Sequence, residues 1–213
     1  MQQNRASRTL AVISFALLLA ALTQAARAEI IYTPVNVVIL NSTYSLDLNN
    51  DGTTDFTIKG VNKFDYCYDL FGHKDPRDVA SIKVLPVTGN SVEGWAHAAA
   101  ALDTGSVIGP GQKFYGAASG MEYVKIGTWL RKVAPYVYVC ENYFDIETGH
   151  WFDVTGYLGL QFLLNGQTHY GWAAVSVQFV NSQVPWTLSA TLTGYAYETI
   201  PGQSIVAGQT SGP

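Results

Sequence analysis

Residues 157–179 read YLGLQFLLNGQTHYGWAAVSVQF, and this stretch decides the fold class. Asn165-Gly166 supplies two adjacent positions that tolerate positive φ. A two-residue type I′ turn needs that pair, and its twist matches the twist of paired strands. On the arm before the turn, Leu158, Leu160, Phe162 and Leu164 recur at every second position. On the arm after it, Ala173, Val175, Val177 and Phe179 alternate with Ala174, Ser176 and Gln178. Successive side chains in a strand point to opposite faces, so each arm carries an apolar side and the pair reads as a β-hairpin with one face in the core.

The same period of two recurs outward from this hairpin. Residues 35–40 (VNVVIL), 44–48, 56–59, 81–87 and the small-residue stretch 92–102 read as strands, with weaker candidates at 122–126 and 135–140. In residues 187–197, Leu188, Ala190 and Leu192 oppose Thr187, Ser189, Thr191, Thr193, Tyr195 and Tyr197, which predicts one apolar and one hydroxyl-rich face. No helical period is found after Glu29. Many short strands without crossover helices predict an all-β fold: an antiparallel β-sandwich, with a jelly roll as one form of its connections. Residues 63–77 and 141–153, rich in acids and aromatics, read as long loops beside the two cysteines. Residues 201–213, mostly Gly, Gln, Ser and Thr, read as a flexible C-terminal tail.

The N-terminus carries Arg5 and Arg8, then the uncharged run LAVISFALLLAAL at residues 10–22, then Ala26-Arg27-Ala28. The run is well short of the roughly 20 residues needed to span a bilayer, and Ala-x-Ala supplies the small side chains of a cleavage site. Residues 1–28 are therefore expected to be a cleaved signal peptide, and the protein to be secreted or held at the cell surface, with no transmembrane segment in the mature chain. Residues 29–200 then form a single domain. Losing Arg5, Arg8 and Arg27 leaves 9 Lys+Arg against 16 Asp+Glu, a net charge of −7 where the whole chain has −4. With no basic cluster beyond Arg131-Lys132, that balance repels a phosphate backbone and excludes nucleic acid as a partner. Cys67 and Cys140 are the only cysteines. In an oxidising compartment they most simply form one disulfide, with two buried free thiols as the alternative.

The strongest local signal is Asp47-Leu48-Asn49-Asn50-Asp51-Gly52-Thr53-Thr54-Asp55. Asp47, Asn49, Asp51 and Asp55 place side-chain oxygens at positions 1, 3, 5 and 9, and Thr53 offers its backbone carbonyl at position 7. Gly52 at position 6 permits the sharp bend that aims them inward. Ca²⁺ takes six to eight hard oxygens, and three aspartates supply negative charge against it. These five residues are the candidate ligands of a structural Ca²⁺, against the alternative of a polar hairpin turn that holds no ion. The pattern resembles the DxNxDGxxD and DxDGDGxxD loops of FG-GAP-like and dockerin-like extracellular proteins. Where an EF-hand has its bidentate Glu this chain has Ile58, and the flanks of the loop read as strands, so a loop joining two strands is expected instead of an EF-hand.

Other constellations are weaker. His73, His97, His150 and His169 show no zinc-ligand spacing, and His169 reads as a hydrogen-bonded sheet residue. There is no G-x-S-x-G elbow. Acid pairs such as Glu141 with Asp145, or Glu147 with Asp153, have the chemistry of glycosidase carboxylates, but that chemistry depends on a spatial separation. Trp95, Trp129, Trp151 and Trp186 are candidates for a sugar-stacking platform, weighed against ordinary core packing.

Over most of the mature length the chain resembles uncharacterised exported proteins of the PEP-CTERM-associated kind. The matching residues are YSLDLNNDGTTDF at 44–56, IGPGQKFYG at 108–116, and the stretches at 157–177 and 192–210. The resemblance implies export and an architecture, not an activity; the Pro-Glu-Pro sorting motif of such proteins is not present in these residues. The sequence thus predicts a secreted or surface non-enzymatic protein with a structural calcium loop. Its alternative is a carbohydrate-binding or carbohydrate-acting extracellular module, with extracellular polysaccharide or cell-surface matrix as the partner.

Overall fold

The computed structural model describes residues 28–148, 150–181 and 187–212, except for the side chains of 122–130, 141–148 and 181. The segment expected to be the signal peptide lies outside the described residues, apart from Ala28. The described chain is all-β, without a helix.

In chain order the strands are β1 (Ile30–Ile39), β2 (Thr43–Leu46), β3 (Phe56–Tyr68), β4 (Lys74–Pro86) and β5 (Ser91–Trp95). Next come the short β6 (Ala98–Ala99), β7 (Val107–Ile108) and β8 (Phe114–Tyr115). The remainder are β9 (Ser119–Ala134), β10 (Val137–Thr148), β11 (Thr155–Leu164), β12 (Gln167–Asn181), β13 (Thr187–Glu198) and β14 (Ile205–Val206).

Two antiparallel blocks, β1-β13-β12-β11 and β9-β4-β3-β2, face each other as in a sandwich. They are nevertheless parts of one large sheet, because β5 and β6 join them and the sheet wraps almost into a barrel. β5 makes the crossing. Its Val92 pairs with Leu160 of β11, while Gly94 pairs with Ala99 of β6, and β6 touches β9 through a parallel bridge, Ala98 to Gly120. Gly94 is required there: its φ is +155°, and a Cβ would sit 2.2 Å from the Ala98 carbonyl oxygen. On the far side Asn62 of β3 closes the wrap. Its amide nitrogen donates to Leu188 O at 3.0 Å, and its Oδ1 accepts from Leu188 N–H at 2.7 Å.

The 157–179 stretch folds as its pattern requires. β11 and β12 pair in register from Leu164–Gln167 to Thr155–Ser176, and Asn165 and Gly166 have φ of 53° and 76°, both positive as a type I′ turn needs. Leu158, Leu160, Phe162, Ala173, Val175 and Val177 are fully buried between the blocks with Ile58, Ile82 and Val84 of the opposite block. Each such Leu, Ile, Val or Phe side chain contributes about 1.5–3 kcal/mol on burial.

Strand β13 departs from the expected alternation. Leu188, Ala190 and Leu192 enter the core, but so do Tyr195 and Tyr197, which the simple period of two places on the outer face. Val175 pairs with Leu192 while its neighbour Ala174 pairs with Gly194, so Thr193 is an extra residue in the ladder. One inserted residue reverses which face every later side chain occupies.

Three further expectations are corrected. Residues 63–68 and 74–77 and most of 141–153 are strand instead of loop: β3 and β4 run on as a hairpin to the pair Tyr68–Lys74, with the turn at 69–73, and β10 pairs with β9 throughout. The C-terminal segment is not a loose tail. β14 pairs with β7, Ile205 and Ala207 are buried with Ile108, Tyr170 and Trp172, and Gln209 O accepts from the Trp172 indole N–H at 3.1 Å. This second cluster covers the outer face of β12 and β13, where Tyr170, Trp172 and Ala196 would otherwise meet water. Cys67 of β3 and Cys140 of β10 form a disulfide with Cα atoms 6.1 Å apart, tying the two long hairpins together.

Candidate calcium loop

Residues 47–55 connect β2 to β3, whose ends pair at Leu46 and Phe56, and Asp55 N–H donates to Leu46 O at 2.9 Å. The loop is thus a hairpin connection between two strands, as its flanks predict. Asp47 organises the bend: Oδ1 accepts from Asp51 N–H at 3.1 Å and Oδ2 from Gly52 N–H at 2.6 Å. Such side-chain to backbone bonds stand in for a ladder where the chain turns. Asn50 and Gly52 take positive φ, 58° and 90°, which Asn tolerates and Gly adopts freely.

Odd and even positions divide the work. Leu48 is buried in the core, and Asn50 fastens the loop outward, donating to Thr33 Oγ1 of β1 and accepting from the Tyr195 hydroxyl of β13, each at 3.1 Å. Asp47, Asn49, Asp51, Thr53 and Asp55 occupy the odd positions. Asp51 Oδ1 accepts from Thr53 N–H at 2.8 Å, and Oδ2 accepts from the Asn49 amide nitrogen at 2.9 Å. The Asn49 hydrogen bond foremost, then the Thr53 N–H, holds the Asp51 carboxyl below the ordinary carboxylate range. Asp55 is turned to the buried side, where Oδ2 accepts from Leu48 N–H at 2.8 Å and Oδ1 lies 3.4 Å from the Asn90 amide nitrogen. Burial pushes its carboxyl up, opposed by the Leu48 and Asn90 bonds and reinforced by the negative charges of Asp47 and Asp51.

The donor set fits a hard cation. Every candidate ligand atom is oxygen, which suits Ca²⁺ over softer metals. Asn49 Oδ1 is buried without a hydrogen-bond partner, an acceptor that a cation would satisfy. The aspartates keep unused lone pairs, since each carboxylate oxygen can accept more than one contact. Asp47, Asn49 and Asp51 are linked through hydrogen bonds to Asp51, while Asp55 is turned to the core with its oxygens engaged by Leu48 N–H and the Asn90 amide. Among the described residues, no three His, Cys, Asp or Glu side chains are grouped closely enough to hold a metal ion by themselves.

The remaining sequence candidates separate clearly. Trp151 is fully buried and donates to Ala99 O at 3.1 Å, which makes it a core residue. Trp95 is 53% exposed at the end of β5. Trp186, and the side chains of Trp129, Glu141, Asp145 and Glu147, lie outside the described residues. Asp153 accepts from Phe179 N–H at 3.0 Å, and buried His169 bonds through Nδ1 to Glu198 O at 2.9 Å, a sheet residue as expected. His73 pairs with Asp69 at 2.7 Å on the surface. Two residues that the sequence did not single out matter here. Asn90 joins Asp55 to β11 by accepting from Leu163 N–H at 3.0 Å, and Glu93 is a buried acid in a cleft. Neither belongs to a local motif.

Comparison of the chain with protein-family models, with curated proteins and with solved structures gives no match.

Proposed function

We propose that this chain is an exported, non-catalytic β-domain in which Ca²⁺, bound by Asp47, Asn49, Asp51, the Thr53 carbonyl and Asp55, locks the connection between β2 and β3. The observation that carries this reading is Asn49 Oδ1, buried and unpartnered in a loop with three carboxylates. Ca²⁺ would neutralise the repulsion that Asp47 and Asp51 exert on Asp55 and fill the vacant contact of Asn49. The loop's ties to β1 and β13 through Asn50 would pass that rigidity to both blocks. Export is supported by the disulfide, which belongs to oxidising compartments, and by the N-terminal sequence pattern. Among the described residues no helix is long and apolar enough to cross a membrane.

The test is calorimetric titration of CaCl₂ into EGTA-stripped protein, with thermal melts of the same samples. At about a hundred times Kd, bound Ca²⁺ adds about 2.7 kcal/mol, and a chain of this size should melt about 5–10 °C higher. Asp51→Ala should abolish the shift. An absence of both binding heat and melting shift in the unaltered protein would refute the calcium reading.

A further inference from the structure

Strand β5 presents a second site, remote in chemistry from the calcium loop. Its Val92 points into the core between the blocks, so Ser91, Glu93 and Trp95 share the opposite face. Ser91 is satisfied there, its hydroxyl donating to Gln161 Oε1 at 2.6 Å. Glu93 is not. It is only 9% exposed, and its Oε2 is buried without a hydrogen-bond partner. The carboxyl is seated over Gly159 of β11, where a Cβ would fall 2.5 Å from Oε2. Burial alone pushes it up to about 7, so no neighbouring cation holds it ionised.

An uncompensated buried acid is costly, and here it lines a cleft of about 370 Å³, within the range of small-molecule sites. Trp95, Leu102, Gln112 and Lys113 line the same space. The Trp95 indole rests against the His150 ring, with centroids 5.0 Å apart, at the start of the tight connection to β6. Glu93 disfavours an anion in this cleft and Lys113 disfavours a cation. A neutral ligand remains, with an apolar face for an exposed indole and hydroxyls for a carboxyl, an amide and an ammonium group.

We propose that this cleft binds a neutral sugar ring, with Trp95 stacking on its C–H face and Glu93 hydrogen-bonding its hydroxyls. Gln112 and Lys113 supply further polar contacts at the rim. The site is independent of the calcium loop, since none of its lining residues belongs to 47–55.

The experiment titrates the full mature chain with cello-, xylo-, malto- and chito-oligosaccharides, read by tryptophan fluorescence and saturation-transfer NMR. At least one probe should bind. Trp95→Ala and Glu93→Leu should each weaken it about tenfold or more. Glu93→Leu should melt no lower than the unaltered protein, because it removes a buried acid that has no partner. Phe71→Ala, which alters an exposed aromatic side chain elsewhere, should bind normally. If Glu93→Leu fails to fold, movement of the Trp95 indole N–H resonance on titrating the unaltered protein decides the matter. Four outcomes would overturn the proposal: no probe binds, Trp95→Ala binds undiminished, Phe71→Ala loses as much affinity as Trp95→Ala, or the amine putrescine displaces the sugar.

Discussion

Replacing Glu93 by glutamine should remove one step from the dependence of stability on pH. The Glu93 carboxyl ordinarily titrates near 4.5, and burial raises it to about 7 in the fold. The folded state therefore holds this proton more tightly than the unfolded chain does. The resulting stabilisation is fully present below the unfolded value and is lost as pH rises through about 7. Between those two values the loss amounts to about 3 kcal/mol, an upper figure for a group that is 9% exposed in an open cleft. The assay is urea unfolding of both proteins in EGTA from pH 4 to pH 8. Any constant effect of the amide cancels when the difference between the two proteins is compared across pH, and so do the carboxylates they share. Glu93→Gln should gain about 3 kcal/mol on the unaltered protein over that range, roughly 6–12 °C in Tm. Parallel curves for the two proteins would refute the claim that Glu93 is an acid buried without compensation.

Three further outcomes follow from named contacts. Asn62→Ala removes both hydrogen bonds to Leu188 and should cost about 2 kcal/mol in urea unfolding, whereas an exposed replacement such as Phe71→Ala should cost little. Paired Cys67→Ser and Cys140→Ser replacements release a crosslink spanning 73 residues and should cost about 4 kcal/mol by the chain-entropy estimate, with proteolysis of the β3–β4 and β9–β10 hairpins rising under the same conditions. Asp55 has its carboxyl raised by burial, so in EGTA its contribution is favourable at acid pH and is lost as pH rises through the raised value. Asp55→Asn should show a smaller calcium-induced rise in Tm than the unaltered protein; equal calcium-induced shifts in the two proteins would remove Asp55 from the ligand set.

Local chemistry alone determined a good part of this protein. Asn165-Gly166 can turn only one way between two arms of alternating apolar residues, so the central hairpin and its buried face were legible without any partner strand. The spacing of Asp47, Asn49, Asp51 and Asp55 about Gly52 likewise marked the loop between β2 and β3, because a tight bend and its hydrogen bonds are made within nine neighbouring residues. Cys67 and Cys140 were the one candidate pair for a disulfide, with two free thiols as the alternative, and the fold decides for the bond.

What remained depended on contacts between residues far apart in sequence. Residues 63–68, 74–77 and 141–148 carry the acids and aromatics of loops, yet they become strands because each finds a partner edge and the disulfide holds the hairpins together. Thr193 reads as one more residue in an alternating strand, and only the pairing of β13 with β12 shows that it is extra and that Tyr195 and Tyr197 turn inward. The C-terminal residues are polar on average, but Ile205 and Ala207 are held down by the exposed apolar face of another strand pair. Glu93 is the plainest case. In the string SVEGW it is an ordinary acid, and it is covered by Gly159 of β11, which it meets only when β5 crosses between the two blocks. A periodic pattern reports which side of a strand a residue occupies, whereas desolvation is set by whatever chain arrives to cover that side.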